Sequence, residues 1–184
     1  MNILEQVEKI AFDSGFSEYG YVKIDDLKYY QEVRTICEGN SCRNYAASWA
    51  CPPAVGTLSE CKERVEQYDN MLLFTRKYEV EDSFDFEGMQ AGLRNFKQTV
   101  NSFQLNLNSI LPTYLLLSNE DCGRCSECTY PNAPCRFSQL LHHSLEGYGF
   151  IVKELADNAG VRYNNGPNTV TFFGALLFNV INHI

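Results

Sequence analysis

The segment of residues 122–135 constrains this chain more than any other part of the sequence. Cys122, Cys125 and Cys128 are spaced three residues apart, and Cys135 follows seven residues later in a Pro-Cys-Arg segment. Thiols at these spacings allow one short loop to direct several sulfur atoms at a single metal centre. The sequence therefore predicts a metal-binding loop that the rest of the fold must hold in place.

The kind of metal centre is indicated by the same spacing. The first three cysteines resemble the Cys-x2-Cys-x2-Cys run of bacterial ferredoxins, in which thiolates bind iron–sulfur clusters. A four-cysteine zinc site usually contains two separated Cys-x2-Cys pairs, so the run favours an iron–sulfur cluster of the 4Fe-4S type. The fourth cysteine departs from the ferredoxin pattern, because it follows a proline instead of preceding one. Zinc is therefore the alternative, and disulfides or free thiols are the remaining interpretations.

Charge and hydropathy exclude several classes of partner. The formal net charge is −8, which argues against nucleic acid and against anionic membrane surfaces, because both bind through clustered Lys and Arg. Glu5 and Glu8 lie in an N-terminal segment without the positive and apolar regions of a signal peptide. The longest apolar stretch, 170–181, is shorter than the roughly 20 residues of a membrane span. We therefore expect a cytoplasmic protein, in which thiols stay reduced and clustered cysteines are more often ligands than disulfides.

Helical and strand patterns alternate along the chain. They predict a single domain over 1–184, of α/β or α+β class, with a mixed sheet, flanking helices and two cysteine-rich metal loops. The predicted helices are 2–14, 58–68, 86–110 and 137–146. The predicted strands are 19–24, 71–80, 113–119, 149–155, and a hairpin formed by 161–163 and 169–178. Residues 37–56 are rich in turn-forming residues and are predicted to form a loop.

The helix predicted over 86–110 carries a strict seven-residue repeat. Its apolar residues, from Phe86 to Ile110, follow one another at alternating steps of three and four. Such a repeat is typical either of a coiled-coil seam, which would form a homodimer, or of one helix lying across a sheet. The charged residues that flank a dimer seam are sparse here, so we expect the second arrangement.

The remaining cysteines form a second group of four. Cys37, Cys42, Cys51 and Cys61 fall within 25 residues, but their spacing matches no standard motif. A proline follows Cys51 directly, as in the Cys-Pro ending of ferredoxin motifs. Cys61 is expected in the first turn of the helix that begins with the capping box Thr57-Leu-Ser-Glu60, either as a ligand or as a small core residue.

Both groups of cysteines have the same setting in the chain. In each half a strand precedes the cysteine loop, and a helix and another strand follow it. If both loops leave the carboxyl ends of their strands, they lie on one side of the sheet. We therefore expect the two groups to be neighbours that are able to exchange ligands, as two-cluster ferredoxins do.

A resemblance to a known family covers nearly the whole chain. It rests on three motifs: Cys37-x4-Cys42-Arg-Asn-Tyr-x3-Trp49-x-Cys51-Pro-Pro-x2-Gly56, Cys122-x2-Cys125-x2-Cys128-x2-Pro131-x2-Pro134-Cys135-Arg136, and Ser144-x-Glu146 with Gly149. These motifs resemble those of the DUF2284 family of predicted metal-binding proteins. The resemblance implies that Cys37, Cys42 and Cys51 are ligands together with the later four, and it favours Cys61. It also implies an origin in anaerobic bacteria or archaea, and it supplies no reaction.

Other polar residues near the cysteines are weaker candidates. His142 and His143 are adjacent on the helix predicted over 137–146, so at most one of them faces a metal site. Four cationic residues beside the predicted ligands are expected either to moderate negative charge or to be solvated: Arg43, Lys62, Arg124 and Arg136. No Ser or Cys nucleophile has a recognisable base partner in the sequence, and the chain is not expected to be an enzyme.

These observations together predict an iron–sulfur protein with one or two four-cysteine clusters. Because the sequence carries no motif for an organic cofactor, electron transfer to a redox protein partner is the expected role. A zinc-binding structural or interaction module is one alternative. A small cluster-dependent reductase or maturation factor is the other.

Overall fold

The structure is a computed structural model that describes residues 2–180. Residue 1 and residues 181–184 lie outside the described residues, and with them the ends of the predicted domain 1–184 and of the apolar stretch 170–181. The helices are α1 (Ile3–Asp13), α2 (Gln31–Glu38), α3 (Leu58–Val65), α4 (Phe86–Leu107) and α5 (Val152–Ala159). The strands are β1 (Glu18–Val22), β2 (Asn70–Glu79), β3 (Tyr114–Ser118), β4 (His143–Ser144) and β5 (Thr169–Phe178).

The five strands form one mixed sheet in the order β1-β2-β5-β3-β4. Strand β5 lies at the centre and pairs antiparallel with β2 on one side and with β3 on the other. Strand β4 joins the edge of β3 in parallel. The predicted mixed sheet with flanking helices is confirmed, and the class is α+β.

Both faces of the sheet are covered by apolar layers. Along β2, Met71 and Leu73 point into one layer, whereas Leu72 and Phe74 point into the other, as the alternation of a buried strand requires. Helices α1 and α4 cover the face of Leu72 and Phe74. Helices α3 and α5 cover the opposite face, and Gly20 of β1 allows α5 to approach closely, because a Cβ there would lie 2.1 Å from the Ala159 carbonyl oxygen.

The seven-residue repeat of α4 serves this packing. Phe96, Val100, Phe103 and Leu107 are completely buried in the layer over the sheet, whereas Phe86 at the start of the helix is 69% exposed. The prediction that this helix lies across a sheet is confirmed. In the part of the chain that the structure describes, no helix combines the length and hydropathy needed to cross a membrane.

The prediction of a helix over 137–146 is wrong. These residues form a 3-10 turn at Ser138–Leu140 and then strand β4. Leu117 and Ser118 of β3 pair with His143 and Ser144. Sheet pairing, which is a long-range interaction, therefore overrides the local helical pattern.

The predictions of a strand over 149–155 and of a hairpin formed by 161–163 and 169–178 are also wrong. Gly149 ends a short 3-10 turn with φ 74°, and α5 begins three residues later. Leu155 and Ala156 are buried at helical spacing against the sheet. Residues 161–163 form no strand, because the Val161 N–H closes the end of α5 on the Ala156 carbonyl and β5 finds its partners elsewhere.

Candidate metal centres

The four cysteines of 122–135 line one small cavity of about 20 Å³. The loop that carries them leaves the end of β3 and has no helix or strand before the 3-10 turn at Ser138. Gly123 has φ 58° and lies against the Lys97 side chain of α4, at which a Cβ would be only 3.1 Å from Lys97 Cγ. A glycine next to Cys122 therefore lets the loop turn sharply onto the helix.

Trp49 of the first cysteine loop lies on this cavity and joins the two loops. Its backbone N–H donates a hydrogen bond to Cys128 Sγ at 3.4 Å, and its indole Nε1 donates to the Ala133 carbonyl at 3.1 Å. The indole ring also meets the Tyr130 ring edge to face, with 4.9 Å between centroids. An amide donor directed at sulfur stabilises the thiolate form that binds metals. The two cysteine loops are therefore in contact, but not for the reason given by the sequence, because β1 and β3 run antiparallel and their carboxyl ends lie at opposite edges of the sheet.

Lys97 of α4 holds the start of the cysteine loop through hydrogen bonds to its backbone. The side chain is 6% exposed, and its ammonium donates to the carbonyl oxygens of Asn119 and Asp121 directly before the first cysteine. Burial raises the pKa of the Cys122 thiol, while the Arg124 N–H and the Lys97 ammonium act in the opposite direction. Lys97 was not predicted as a site residue. Its signal in the sequence is its position beside the apolar stripe of α4, one place after Phe96.

Arg124 contributes a donor that has no partner. Its Nη2 donates to Gln104 Oε1 at 2.7 Å, whereas its buried Nε has no hydrogen-bond acceptor among residues 2–180. Arg124 and Arg136 both line the cavity of the four thiols. An orphaned N–H donor beside four thiols fits an anionic group such as a thiolate-bound cluster.

Cys37, Cys42 and Cys51 line a second and larger cavity of about 390 Å³. Cys37 lies in the last turn of α2, which was not predicted, and Cys51 is 4% exposed. Burial raises the pKa of Cys51 to about 12, and burial together with the nearby Glu146 carboxylate raises the pKa of Cys37. The carboxylates of Glu120 and Glu146 share the wall of this cavity with the three thiols.

Glu146 has one free carboxylate oxygen. Its Oε1 accepts a hydrogen bond from Asn119 Nδ2 at 3.0 Å, whereas its buried Oε2 has no partner within the described part of the chain. Glu146 also lines a polar cavity of about 330 Å³ beside β5, with Asn119 and Tyr163. It therefore stands in a wall between two cavities.

Cys61 lies apart from the other cysteines. It lies on the buried face of α3 and is completely buried in the core layer that this helix covers. Its Sγ is 3.6 Å from the Val55 carbonyl oxygen. Nη1 of Arg34 and Nη1 of Arg64 each lie 3.9 Å from the same sulfur. Burial raises the pKa of this thiol, and the two guanidinium groups oppose that shift. The structure thus brings three cysteines of this group together and leaves Cys61 outside their cavity.

The two histidines contact neighbouring side chains of the protein interior. His142 is completely buried, with Nδ1 3.0 Å from Ser118 Oγ, and burial holds its pKa well below the usual value. His143 Nδ1 lies 2.8 Å from the Tyr148 hydroxyl, and burial and the Arg64 charge lower its pKa to about 4. Neither histidine lines the two cysteine cavities described above.

All eight cysteines are free thiols. Within residues 2–180, no three His, Cys, Asp or Glu side chains are arranged to hold a single metal ion. The thiols are instead grouped around two cavities, four at one and three at the other.

The fold and the two thiol-lined cavities define a cysteine-rich metal-binding protein on an α+β scaffold. Residues 20–178 match the profile of the family described as predicted metal-binding protein (DUF2284), and the chain belongs to this family. Neither the curated proteins nor the solved structures contain a match to the sequence.

Proposed function

We propose that this protein holds two iron–sulfur clusters of the 4Fe-4S type and carries electrons to a protein partner. The observation that carries the proposal is the single cavity lined by Cys122, Cys125, Cys128 and Cys135, with a backbone amide donating to one of their sulfur atoms. These four thiols would hold the first cluster, for which the loop of residues 122–135 would have to move outward, because a cavity of about 20 Å³ has room for only about one water molecule. Cys37, Cys42 and Cys51 would hold the second.

A cluster in each cavity would supply reversible one-electron transfer. The surrounding residues are suited to balance its negative charge. Trp49 and Arg124 both line the first cavity, and hydrogen bonds to cluster sulfur raise the reduction potential. The Trp49 N–H already donates to Cys128 Sγ, and Arg124 Nε has no acceptor within residues 2–180. The Lys97 ammonium adds a buried positive charge near Cys122.

The closeness of the two cavities supports electron transfer between them. Glu120 lines the second cavity and Asp121 the first, and Trp49 lines the first cavity two residues before Cys51 lines the second. Consecutive Cα atoms are about 3.8 Å apart, so the two centres would share a wall only one or two residues thick.

The second cavity offers the approach for a partner. Cys42 is exposed, and Ile36 in the same wall is 72% exposed. An apolar side chain at the mouth of a redox centre suits a small and transient contact with another protein. The net charge of −8 favours a partner with a basic docking face.

The test is to purify the protein without oxygen and to measure iron, zinc, acid-labile sulfide and the visible spectrum. We expect about eight iron and eight sulfide per chain, with brown absorbance that bleaches on reduction and returns on oxidation. Cys125→Ala should lose the first cluster and halve the iron content. One or two zinc ions without sulfide would contradict the proposal and indicate a structural zinc module instead.

A further inference from the structure

We infer that the second cluster is bound by three cysteines and by the carboxylate of Glu146, which leaves one iron with an exchangeable ligand at the wall of the 390 Å³ cavity. The inference rests on the proposed function and assigns the fourth ligand that the cysteines do not supply. The cavity would admit a small molecule that binds this iron through a nitrogen or oxygen donor.

Cys61 is not placed to complete the site. Its sulfur faces the carbonyl oxygens of Val55 and Gly147, at 3.6 and 3.8 Å, on the core side of α3. It lies among the side chains of the apolar layer, and it does not line the cavity of Cys37, Cys42 and Cys51. To reach that cavity it would have to leave a completely buried position, at the cost of core packing.

Glu146 is placed to complete it. Asn119 holds Oε1 by a hydrogen bond of 3.0 Å, and the side chain lines the cavity of the three thiols. Its second oxygen, Oε2, is buried and has no donor in residues 2–180. A buried carboxylate oxygen without a donor is costly, and a cation in the cavity would remove that cost.

Glu120, the other carboxylate of the cavity, provides the comparison. Its side chain is hydrogen-bonded to Asn44, which also lines the cavity. Both Glu120 and Glu146 therefore carry negative charge into the same wall, but Glu146 has the unpaired oxygen. Glu120→Gln is a matched control for Glu146→Gln, because both variants remove one charge from the same cavity.

The cavity indicates which ligands would reach the iron. The cluster would occupy part of the cavity of about 390 Å³, and the remaining space is what a small molecule could enter. Val33, Ile36 and Pro52 give it an apolar side, whereas two carboxylates disfavour an anion. A neutral or cationic small molecule is therefore the class that fits, and imidazole, which binds iron through nitrogen, is a suitable probe.

The experiment compares oxygen-free wild type with Cys61→Ala, Glu146→Gln and Glu120→Gln, by iron content and by electron paramagnetic resonance. Ferricyanide as oxidant should convert the three-cysteine cluster of the wild type, with release of one ferrous ion and transfer of one electron to ferricyanide, into a paramagnetic three-iron cluster. We expect Cys61→Ala and Glu120→Gln to match the wild type. Glu146→Gln should lack about one iron in eight before any oxidant is added.

Imidazole should change the spectrum of the reduced wild-type cluster and should have no such effect on Cys51→Ser, in which the second cluster is lost. Two results would overturn the inference while leaving the proposed function in place. One is loss of the whole second cluster in a folded Cys61→Ala; the other is full iron content in Glu146→Gln, together with the same extent of conversion by ferricyanide as in the wild type. The Glu146 variant decides the matter even if Cys61→Ala does not fold. Wild-type protein without iron would overturn the proposed function itself.

Discussion

Replacement of Lys97 by Met should remove the first metal centre and leave the second intact. The methionine keeps the unbranched apolar stem that packs under Gly123, but it removes the ammonium that donates to the carbonyl oxygens of Asn119 and Asp121. The segment that these carbonyls belong to leads directly into Cys122. We therefore expect the first cluster to be lost and the second to be retained, with the iron content falling to about half.

The same change should lower the free energy of unfolding. Each buried carbonyl left without its donor costs about 1–3 kcal/mol, and removal of the ammonium's own burial penalty offsets part of this. We expect a net loss of about 3 kcal/mol for Lys97→Met, measured by urea denaturation of the metal-free protein. Lys62→Met is the control, because Lys62 is exposed; it pairs with Glu66 at 3.7 Å and lies 6.0 Å from the centre of the Tyr29 ring, contacts worth about 0.5 kcal/mol each at an exposed position. Unchanged stability together with a full iron content in Lys97→Met would refute this reasoning.

Three further predictions concern the scaffold and the first cavity. The pKa of His143 is about 4, below the value of about 6.5 in an unfolded chain, so protons bind the unfolded state first as the pH falls from 6.5 to 4. Over that range the wild type should lose about 3 kcal/mol more stability than His143→Gln, because His142, whose pKa is also lowered by burial, acts equally in both proteins; parallel curves in urea titrations at several pH values would contradict this. Phe96→Ala should lower the free energy of unfolding by about 3–5 kcal/mol in the same assay, and a loss under 1 kcal/mol would speak against close packing of α4 on the sheet. Trp49 is the single tryptophan and lines the first cavity, so its fluorescence should rise when the cluster is removed by a chelator, and a constant signal would place the cluster elsewhere.

Elements with strong local signals were predictable from the sequence. The capping box of α3 forms as expected, with the Thr57 N–H donating to Glu60 Oε2 at 2.7 Å. The apolar repeat of α4 and the long apolar runs of β2 and β5 give their elements to within three residues. In each case the residues that specify the element lie within that element.

Short elements around Gly149 were not predictable from local pattern. The β-branched pair Ile151 and Val152 indicates a strand, yet Val152, Leu155 and Ala156 also have helical spacing. Packing against the sheet decides in favour of α5, and that packing depends on residues far away in the chain. Strand β4 is a similar case, since its two residues gain their structure from pairing with β3 and from the Ser144 N–H, which donates to the Ala50 carbonyl.

The same distinction applies to the metal centres. The group Cys122, Cys125 and Cys128 was predictable because its members share one loop. The roles of Lys97 and Glu146 were not, because each reaches its cavity from an element distant in sequence. Spacing in a sequence identifies thiols that can act together, whereas the charges and orphaned oxygens around them are defined only by the tertiary fold.

The central position of β5 has a consequence for how the protein is made. Within residues 2–180, β5 is the last strand in chain order, yet it separates β2 from β3 in the sheet. Since a chain leaves the ribosome from its N-terminus at about 5–20 residues per second, both cysteine loops emerge seconds before the strand that holds the sheet together. If the proposed function holds, the two clusters would reach their final sites only after β5 has paired with β2 and β3. A ribosome stalled before residue 169 would present all eight thiols on a chain whose loops are not yet held against each other.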